Sequence, residues 1–255
     1  MGTGSATRTT VSVGREKSGS VIEPSVAGRV RVQSGPHGRE LIVDETLASL
    51  FPAEGIATGC VWDAIAAPVL ALPPERRRRF LLLGLAGGSA ARIVRALAPG
   101  AEIVAVEVDR DVVRAARRHF ELDALDLELI VDDALAVLRR ERRRFDAVLE
   151  DVFIGYGDDV HKPDWIPHPG LDLAARRVRD GGLLVSNTLD ETRQVAKALA
   201  THFPRTLCID VDEYDNRVLV AGPKSLEARA LRAAVAREAS LSGSLRVLRF
   251  RRWRL

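Results

Sequence analysis

An α/β fold is predicted for this 255-residue chain by three features of its sequence. From residue 80 onward, short apolar runs alternate with amphipathic helical patterns, which is typical of a mostly parallel sheet covered on both faces. A turn of small residues, "GLAGGS", follows the first apolar run. The short connection "DEYDN" (212–216) makes the last two strands antiparallel, because a parallel crossover needs about a dozen residues. Together these features predict a Rossmann-like sheet whose last strand pair is antiparallel.

The first 74 residues precede this alternation. Residues 1–20 are rich in Gly, Ser and Thr without periodicity, and we predict that they are disordered. Two alternating runs within residues 28–46 predict a β-hairpin with a four-residue loop at 35–38. Residues 61–72 predict a helix as far as Pro68. We assign residues 21–74 to this N-terminal β-hairpin unit and its helix.

The main domain, residues 75–224, is predicted to be the Rossmann-like, nucleoside-binding part of the chain. Its strands are "FLLLGL", "EIVAVEV", "LELIVDD", "FDAVLEDVF", "GLLVSNT", "TLCIDVD" and "RVLVAG". Its helices are predicted over 88–98, 110–119, 134–142, 171–179 and 190–202. Residues 225–255 are predicted to form a terminal helix (225–239) and a basic tail that ends in "RFRRWRL".

Composition narrows the functional classes. A hydrophobic content of 46% is enough for one full core, and the two cysteines, Cys60 and Cys208, form no CxxC pair, so a reducing compartment is expected. No signal-peptide pattern is found at the start, and the most apolar run, "VWDAIAAPVLAL", is too short to span a bilayer. A cytoplasmic protein without membrane contact is therefore expected. The arginine clusters have no accompanying nucleic-acid motif, so nucleic acid is not an expected partner.

The small residues of the turn, Gly84, Ala86, Gly87 and Gly88, indicate where a ligand lies. Beyond the carboxyl ends of parallel strands, the first strand-to-helix turn is the usual contact. A dinucleotide fingerprint counted from Gly84 requires glycine at 86 and 89, where this chain has Ala86 and Ser89. Counted as G-x-G-x-G with alanine in the middle, the turn is typical of class I S-adenosylmethionine (SAM) enzymes.

Two carboxylates at the following strand ends favour the same ligand. Glu107 lies 23 residues beyond Gly84, where it can accept hydrogen bonds from ribose hydroxyls. Asp133 can accept one from the amino group of an adenine that lies across the strand ends, a residue that an NAD site does not require. Either carboxylate alone is equally well explained as a helix N-cap. The turn and both carboxylates at consecutive strand ends, together with the "RDGG" turn (179–182) and the antiparallel last strand pair, favour SAM over NAD.

The sequence resembles the spermidine synthases (polyamine aminopropyltransferases) over residues 28–222. "LLLGLAGGSAAR" stands where this family has its glycine-rich turn, and "VAVEVDRDVV", "VDDA" and "FDAVLEDVF" are similar to its next three motifs. The resemblance implies a class I methyltransferase sheet and transfer of an aminopropyl group from decarboxylated SAM to an amine. It implies that Glu107 binds ribose, that Asp133 binds adenine and that Asp151 is the catalytic aspartate.

The chain departs from the family pattern at several positions. Gly87 replaces an aspartate of the glycine turn, Ile154 replaces a second aspartate after the fourth strand, and Val61 and Trp62 replace a Tyr-His pair. These groups hold the amine ends of donor and acceptor in the family. The donor is therefore expected to be either SAM or its decarboxylated form, and Trp62 is assigned to the substrate site by position.

The segment 154–170, "IGYGDDVHKPDWIPHPG", is long for a structureless connection and predicts a lid or binding segment. We assign Tyr156, Asp158 and Asp159 to binding of a small-molecule amine, and either aspartate can replace the acidic group absent at Ile154. Asp151, at the end of the fourth strand, is expected to be the base. Because no metal-ligand spacing is present, no metal is expected.

Three functions remain open from the sequence. The first is a spermidine-synthase-like enzyme that transfers an aminopropyl or related alkyl group to an amine. The second is a SAM-dependent methyltransferase that acts on a small molecule, and the third is a non-catalytic adenosyl binder. A dehydrogenase requires NAD in place of SAM at the turn. A homodimer is also left open.

Overall fold

The computed structural model describes residues 21–24 and 28–254, with side chains described from residue 28 onward. The disorder predicted for residues 1–20 lies outside the described residues. The strands of the described part are β1 (Val21–Pro24), β2 (Val30–Gly35), β3 (Gly38–Val43), β4 (Thr46–Pro52), β5 (Arg79–Leu83), β6 (Glu102–Glu107), β7 (Glu128–Val131), β8 (Phe145–Glu150), β9 (Ile154–Tyr156), β10 (Asp159–His161), β11 (Val178–Thr188), β12 (Arg205–Val211), β13 (Arg217–Gly222) and β14 (Leu248–Arg252).

The helices begin and end close to their predicted positions. They are α1 (Val61–Ala66), α2 (Ser89–Leu97), α3 (Arg110–His119), α4 (Ala134–Arg140), α5 (Gly170–Arg177), α6 (Thr192–His202) and α7 (Ala228–Arg237). Short 3-10 segments lie at Ala67–Ala71, Pro74–Arg76, Leu122–Leu125 and Ser242–Arg246. The α-helical part of the predicted 61–72 helix ends at Ala66, because the residues before Pro68 are disfavoured from continuing an α-helix.

The main sheet has eight strands in the order β14-β12-β13-β11-β8-β5-β6-β7. The five strands β11, β8, β5, β6 and β7 are parallel, and β13 is antiparallel to both of its neighbours. The mostly parallel sheet with an antiparallel last pair is thereby confirmed. From β5 the chain proceeds to β6 and β7 on one side and to β8 and β11 on the other, so the switch point lies between β5 and β8.

Both faces of this sheet are buried under helices. Along β5, Phe80 and Leu82 belong to the core that α1, α2 and α7 cover, whereas Leu81 and Leu83 belong to the core under α4, α5 and α6. This alternation is the period of two that a strand imposes. Strand β5 reads as a continuous apolar run because each of its faces has a helix layer to pack against.

The N-terminal unit is a second sheet, antiparallel, in the order β1-β2-β3-β4. The predicted hairpin is β2–β3, but Gly35 pairs with Gly38, so the connection consists of Pro36 and His37 and is shorter than the predicted four residues. Strand β4 was not predicted. Apolar side chains of this sheet pack on α3 in a small core of their own: Val30, Val32, Leu41, Val112, Ala115 and Phe120.

Two segments that the sequence predicts to be irregular are ordered. The basic tail contains β14, which pairs antiparallel with β12 and forms one edge of the main sheet. Arg249 and Arg251 of this strand pair with Asp212 and Asp210. Much of their charge is thus neutralised locally.

The 154–170 segment begins with the two-stranded hairpin β9–β10 rather than an irregular loop.

In the part of the chain that the structure describes, no helix is both long and apolar enough to cross a membrane.

Candidate functional site

The carboxyl ends of four parallel strands meet in one row. Backbone hydrogen bonds continue past the strand ends, from Asp151 N to Leu83 O (2.8 Å), from Gly84 N to Val106 O (3.1 Å) and from Asp132 N to Glu107 O (3.1 Å). The sequence-predicted residues Gly84, Glu107, Asp133 and Asp151 therefore all lie at one edge of the sheet. This edge includes the switch point between β5 and β8, where ligands of open α/β sheets bind.

Protein packing by itself accounts for much of the glycine turn. Gly84 has φ +82°, and a Cβ there would lie 2.4 Å from the carbonyl oxygen of Asp151. A Cβ on Gly87 would lie 2.8 Å from the Cβ of Ser49. Gly88 also has positive φ (+85°) and begins α2. Of the four predicted turn residues, Gly84 and Ala86 are partly exposed, whereas Gly87 and Gly88 are buried.

Strand β4 of the N-terminal unit covers the buried half of the turn. Gly87 N donates to Ser49 Oγ (2.8 Å). Ser89 Oγ accepts from Leu50 N (2.9 Å) and donates to Leu50 O (2.8 Å). These contacts fasten the two sheets together directly beside the candidate ligand position. The sequence carried no signal for them, since β4 was not predicted.

Glu107 holds the turn from the neighbouring strand. Its Oε2 accepts from Ala86 N (2.8 Å) and its Oε1 accepts from Asp109 N (3.0 Å). Oε2 also accepts a longer bond from Leu85 N (3.4 Å). A carboxylate can accept about four hydrogen bonds, so Oε1 keeps a lone pair for a ligand hydroxyl. Next to it, Val108 is 66% exposed, an apolar side chain at the strand ends that sequence reasoning missed.

Asp133 caps helix α4, as its alternative interpretation proposed. Its Oδ1 accepts from Ala136 N (2.8 Å). The residue is exposed, and no hydrogen bond of Oδ2 is found among the described residues. Capping and ligand binding are therefore compatible, because they use different oxygens of one carboxylate. Asp132 beside it forms an ion pair with Arg140 (2.5 Å).

Asp151 is held by a chain of amides. Asn216 Nδ2 donates to Asn187 Oδ1 (3.1 Å), and Asn187 Nδ2 donates to Asp151 Oδ1 (2.8 Å). Asn187 lies at the end of β11, the parallel neighbour of β8. Burial raises the pKa of Asp151 to about 6, although the hydrogen bond from Asn187 and the charge of Lys162 oppose the rise. A carboxylate with this pKa can exchange a proton near neutral pH.

A fully buried ion pair adjoins Asp151. Lys162 Nζ lies 2.6 Å from Glu150 Oε1, and both side chains are 1% exposed. Ser186 Oγ donates to the other carboxylate oxygen of Glu150 (2.5 Å). Neither Lys162 nor Glu150 was among the predicted site residues. A single lysine in a polar segment gives no indication in the sequence that it is buried.

The predicted acceptor-binding residues of the segment lie on the β9–β10 hairpin. Tyr156 is 63% exposed, and Asp158 and Asp159 are exposed as well. The hairpin tip rests on the N-terminal unit, where Gly157 N donates to Asp44 O (2.7 Å). Thr46 Oγ1 also donates to Gly157 O (3.1 Å). The hairpin thus bridges the two sheets.

The position assigned to Trp62 is a core position. The side chain is 5% exposed on α1 and belongs to the core beneath α1, α2 and α7. It is therefore packed among apolar residues and does not stand at an open surface with the hairpin residues. The assignment of Trp62 to the substrate site was made from its position in the family pattern, and that pattern did not predict a buried side chain.

The histidines of the segment are not brought together. His161 Nδ1 lies 3.8 Å from Asp159 Oδ1, whereas His168 Nδ1 contacts Asp172 Oδ2 at 2.8 Å. Across the described residues, no group of three or more His, Cys, Asp and Glu side chains is arranged to hold a metal ion.

The open part of the strand-end row suits an adenosyl group. Glu107 and Asp133 have carboxylate oxygens with remaining acceptor capacity, and Val108 between them in sequence has an exposed apolar surface. The turn at Gly84 brings the backbone close to the end of β8. What this end of the sheet can offer is thus nucleoside binding beside a proton-accepting carboxylate.

No family model matches the chain. In sequence it is 38% identical over 154 residues to the eEF1A lysine and N-terminal methyltransferase homolog of Drosophila pseudoobscura pseudoobscura. That alignment covers 56% of this chain and 23% of that protein. The chain thus spans less than a quarter of the length of the curated relatives that it matches.

Two solved structures with the same architecture are a probable spermidine synthase and a methyltransferase-like protein. A probable spermidine synthase from Corynebacterium glutamicum superposes with a TM-score of 0.68 at 19% identity, over 88% of this chain and 87% of that chain. Human methyltransferase-like protein 13 in complex with SAH superposes with a TM-score of 0.60 at 21% identity, over 76% of this chain and 96% of that chain. The chain therefore has the mixed α/β fold that class I methyltransferases share with spermidine synthases.

Proposed function

We propose that this chain is a transferase that binds SAM or its decarboxylated form and moves an alkyl group from the sulfonium to an amine. The observation that carries the proposal is the position of Asp151. Its backbone meets Gly84 at the switch point, in the same row as Glu107, and burial raises its pKa to about 6. We therefore assign Asp151 as the group that accepts the proton of the amine.

The nucleoside half of the site is assigned to the ends of β5, β6 and β7. Glu107 accepts hydrogen bonds from the ribose hydroxyls, Val108 packs against the adenine ring and Asp133 accepts from its amino group. The acceptor capacity that remains on Glu107 Oε1 and on Asp133 Oδ2 supports these roles. The structural relative that was solved with SAH has the same fold, which also supports an adenosyl ligand.

The chemistry supplied by the bound donor is displacement at the carbon attached to its sulfonium. The amine lone pair forms the new C–N bond, the C–S bond breaks, and its electron pair remains on sulfur as a neutral thioether. Asp151 holds the ammonium form of the acceptor, takes its proton and leaves the lone pair free. Because the leaving group is already activated, the rest of the protein mainly positions the two reactants.

Two transferred groups are compatible with this site. The resemblance to spermidine synthases and the fold of the Corynebacterium structure favour an aminopropyl or related alkyl group and a small-molecule amine acceptor. The 38% identity to a relative named as a lysine and N-terminal methyltransferase favours a methyl group and an amino group of a protein. Gly87 lacks the family carboxylate for the donor ammonium, but SAM and its decarboxylated form both carry that ammonium, so this position does not separate the two donors. Both alternatives use Asp151 in the same way.

A thermal-shift panel with SAM, decarboxylated SAM, methylthioadenosine, SAH and NAD tests the nucleoside half. A ligand present at a hundred times its dissociation constant adds about 2.7 kcal/mol to the free energy of unfolding. We expect at least one adenosyl sulfonium or thioether to raise the Tm and NAD to leave it unchanged. If none of these adenosyl compounds raises the Tm at millimolar concentration, the proposal is wrong.

The donor that binds then decides the transferred group. The protein is incubated with that donor and with diamines, polyamines or lysine-containing peptides, and product masses are measured. An added aminopropyl group supports the first alternative and an added methyl group the second. Tight binding without any product with these acceptors would favour a non-catalytic adenosyl binder.

A further inference from the structure

Lys162 is buried in a segment whose composition is polar. It follows β10 directly, and its side chain passes back under the hairpin to the end of β8, where Nζ contacts Glu150 Oε1 (2.6 Å) and Val152 O (3.0 Å). The ammonium also lies 3.9 Å from the ring centroid of Phe153. Burial of an ammonium group costs free energy unless such partners compensate for the lost hydration. The contacts of Lys162 supply this compensation.

The partners of Lys162 are themselves fixed. Glu150 Oε1 also accepts from Val152 N (2.8 Å), and its Oε2 accepts from Ser186 Oγ (2.5 Å). The backbone of Lys162 is tied as well, because its N donates to Glu191 Oε1 (3.0 Å). The hairpin is therefore fastened at its base by Lys162 and at its tip by Gly157.

Asp151 lies next to this ion pair in sequence and on the other side of the sheet. Along β8, Ala147 and Leu149 belong to one core and Val148 to the other, so the alternation places Glu150 and Asp151 on opposite faces. The Lys162 ammonium nevertheless contacts both chain neighbours of Asp151, the Glu150 carboxylate and the Val152 carbonyl. From this position its charge lowers the pKa of Asp151, whereas the charge of Glu150 raises it. Asn187 of β11 contributes an uncharged hydrogen bond.

We propose that Lys162 is a positioning residue that couples the seating of the β9–β10 hairpin to the ionisation of Asp151. The inference rests on the proposed function in that Asp151 is taken to be the proton acceptor. When the hairpin is seated, the ammonium favours the carboxylate form of Asp151. When the hairpin lifts, Lys162 leaves with it and Glu150 remains behind as an uncompensated like charge.

The two members of the ion pair act on Asp151 with opposite sign. Lys162 lowers the pKa of Asp151 and is the larger influence, whereas Glu150 raises it. Lys162→Met should therefore raise that pKa even if Glu150 takes up a proton in the variant. Glu150→Gln should lower it, because the contacts with Val152 O and the Phe153 ring still hold the cation. We therefore expect the pKa of Asp151 to increase from E150Q to the wild type, then to the double variant E150Q/K162M, and to be highest in K162M.

The test measures the Asp151 carboxyl by carbon-13 NMR titration of the full chain without ligand. We expect a shift of about one unit upward in K162M and a smaller downward shift in E150Q. Hydrogen exchange at residues 154–161 is followed in the same proteins, and we expect faster exchange of the Gly157 amide in K162M. Lys197→Met, which removes an exposed lysine of α6, is the matched control and should change neither readout.

The double variant protects the test against loss of folding, since replacing a buried ion pair by neutral side chains of similar shape is tolerated better than removing one partner. Shifts of the same sign in K162M and E150Q, or none, would overturn the inference, as would unchanged exchange in the hairpin. Opposite shifts with faster exchange would support it even if no adenosyl donor bound. The NMR and exchange results can therefore be interpreted even if the thermal-shift panel identifies no donor.

Discussion

The two halves of the candidate site differ in how they are built. The nucleoside half, at the ends of β5, β6 and β7, consists of residues that follow their strands directly, and their carboxylates bind backbone amides nearby in space. The acceptor half, at the end of β8, depends on partners distant in sequence: Asn187, Asn216 and Lys162. The residues of the first half are therefore predictable from the pattern at each strand end, whereas those of the second depend on tertiary packing.

The halves differ in electrostatics as well. In the nucleoside half, Asp133 is exposed and its environment is dominated by water. In the acceptor half, burial raises the pKa of Asp151 to about 6, and an ion pair with 1% exposure lies beside it. Charges interact more strongly where water is excluded, so substitutions in the acceptor half should act over a longer range.

The largest expected effect is on turnover in the acceptor half. Asp151→Asn retains the shape of the side chain but removes the negative charge and the proton acceptor, so turnover should fall by about 100-fold or more. The dissociation constant of the nucleoside should change little, since its contacts are assigned to other strand ends. Turnover and nucleoside affinity are measured in parallel with the donor identified by the thermal-shift panel.

Asp180→Asn is the matched control, because Asp180 is exposed at the opposite end of β11. It should leave both quantities unchanged. Normal turnover in the Asp151 variant would remove this residue from the mechanism and direct attention to Asp158 and Asp159. A loss of nucleoside affinity along with activity would place Asp151 in the nucleoside half, and the two halves would then not be separate.

The sequence predicted most of the main sheet because its signals are local. Apolar runs, helix periodicity and capping residues lie within a few positions of one another, and α3 begins and ends at the predicted residues 110 and 119. Asp109 caps that helix through Asp111 N and Val112 N. The row of strand ends followed from the same information, because parallel strands bring their carboxyl ends to one edge.

The missed features depend on partners far along the chain. Gly87 is a glycine because Ser49 of an unpredicted strand packs against it, and no local pattern contains that contact. Strand β14 is masked in sequence by arginines, whose charges Asp210 and Asp212 compensate. Lys162 is in the same class, since its burial depends on Glu150. Ordered structure in a polar segment is therefore hard to predict when its charged residues pair with residues distant in sequence.

In the nucleoside half, Glu107→Gln should weaken adenosyl binding by roughly 10-fold or more, in line with about 1–3 kcal/mol for ligand donors that lose an acceptor. Isothermal titration with the donor measures it. Glu102→Gln, at the other end of β6, is the control, since Glu102 makes only partly exposed ion pairs with Arg79 and Arg143. Equal affinities in the two variants would confine Glu107 to holding the turn at Ala86.

A pH dependence of stability follows from Asp151. Its pKa is raised from 3.8 to about 6, so the native state binds a proton more tightly than the unfolded chain. Because one pKa unit corresponds to about 1.4 kcal/mol, ionisation of Asp151 costs about 3 kcal/mol of stability, a cost that is absent below about pH 3.8 and fully present above about pH 6. Asp151→Asn should be the more stable protein at pH 8 and lose that advantage at pH 4, as measured by urea unfolding. An advantage that is equal at both pH values would contradict the raised pKa.

The smallest expected effect separates the two uses of Asp133. Asparagine caps helices about as well as aspartate, so Asp133→Asn should keep the bond from Ala136 N and leave the free energy of unfolding unchanged. It replaces Oδ2, the oxygen that we assign to the ligand, by an amide donor, so adenosyl binding should weaken several-fold. Asp133→Ala should lose the cap as well, at about 1 kcal/mol of stability. Wild-type affinity in the asparagine variant would show that Asp133 is a helix cap alone, and the nucleoside half would then rest on Glu107 and Val108.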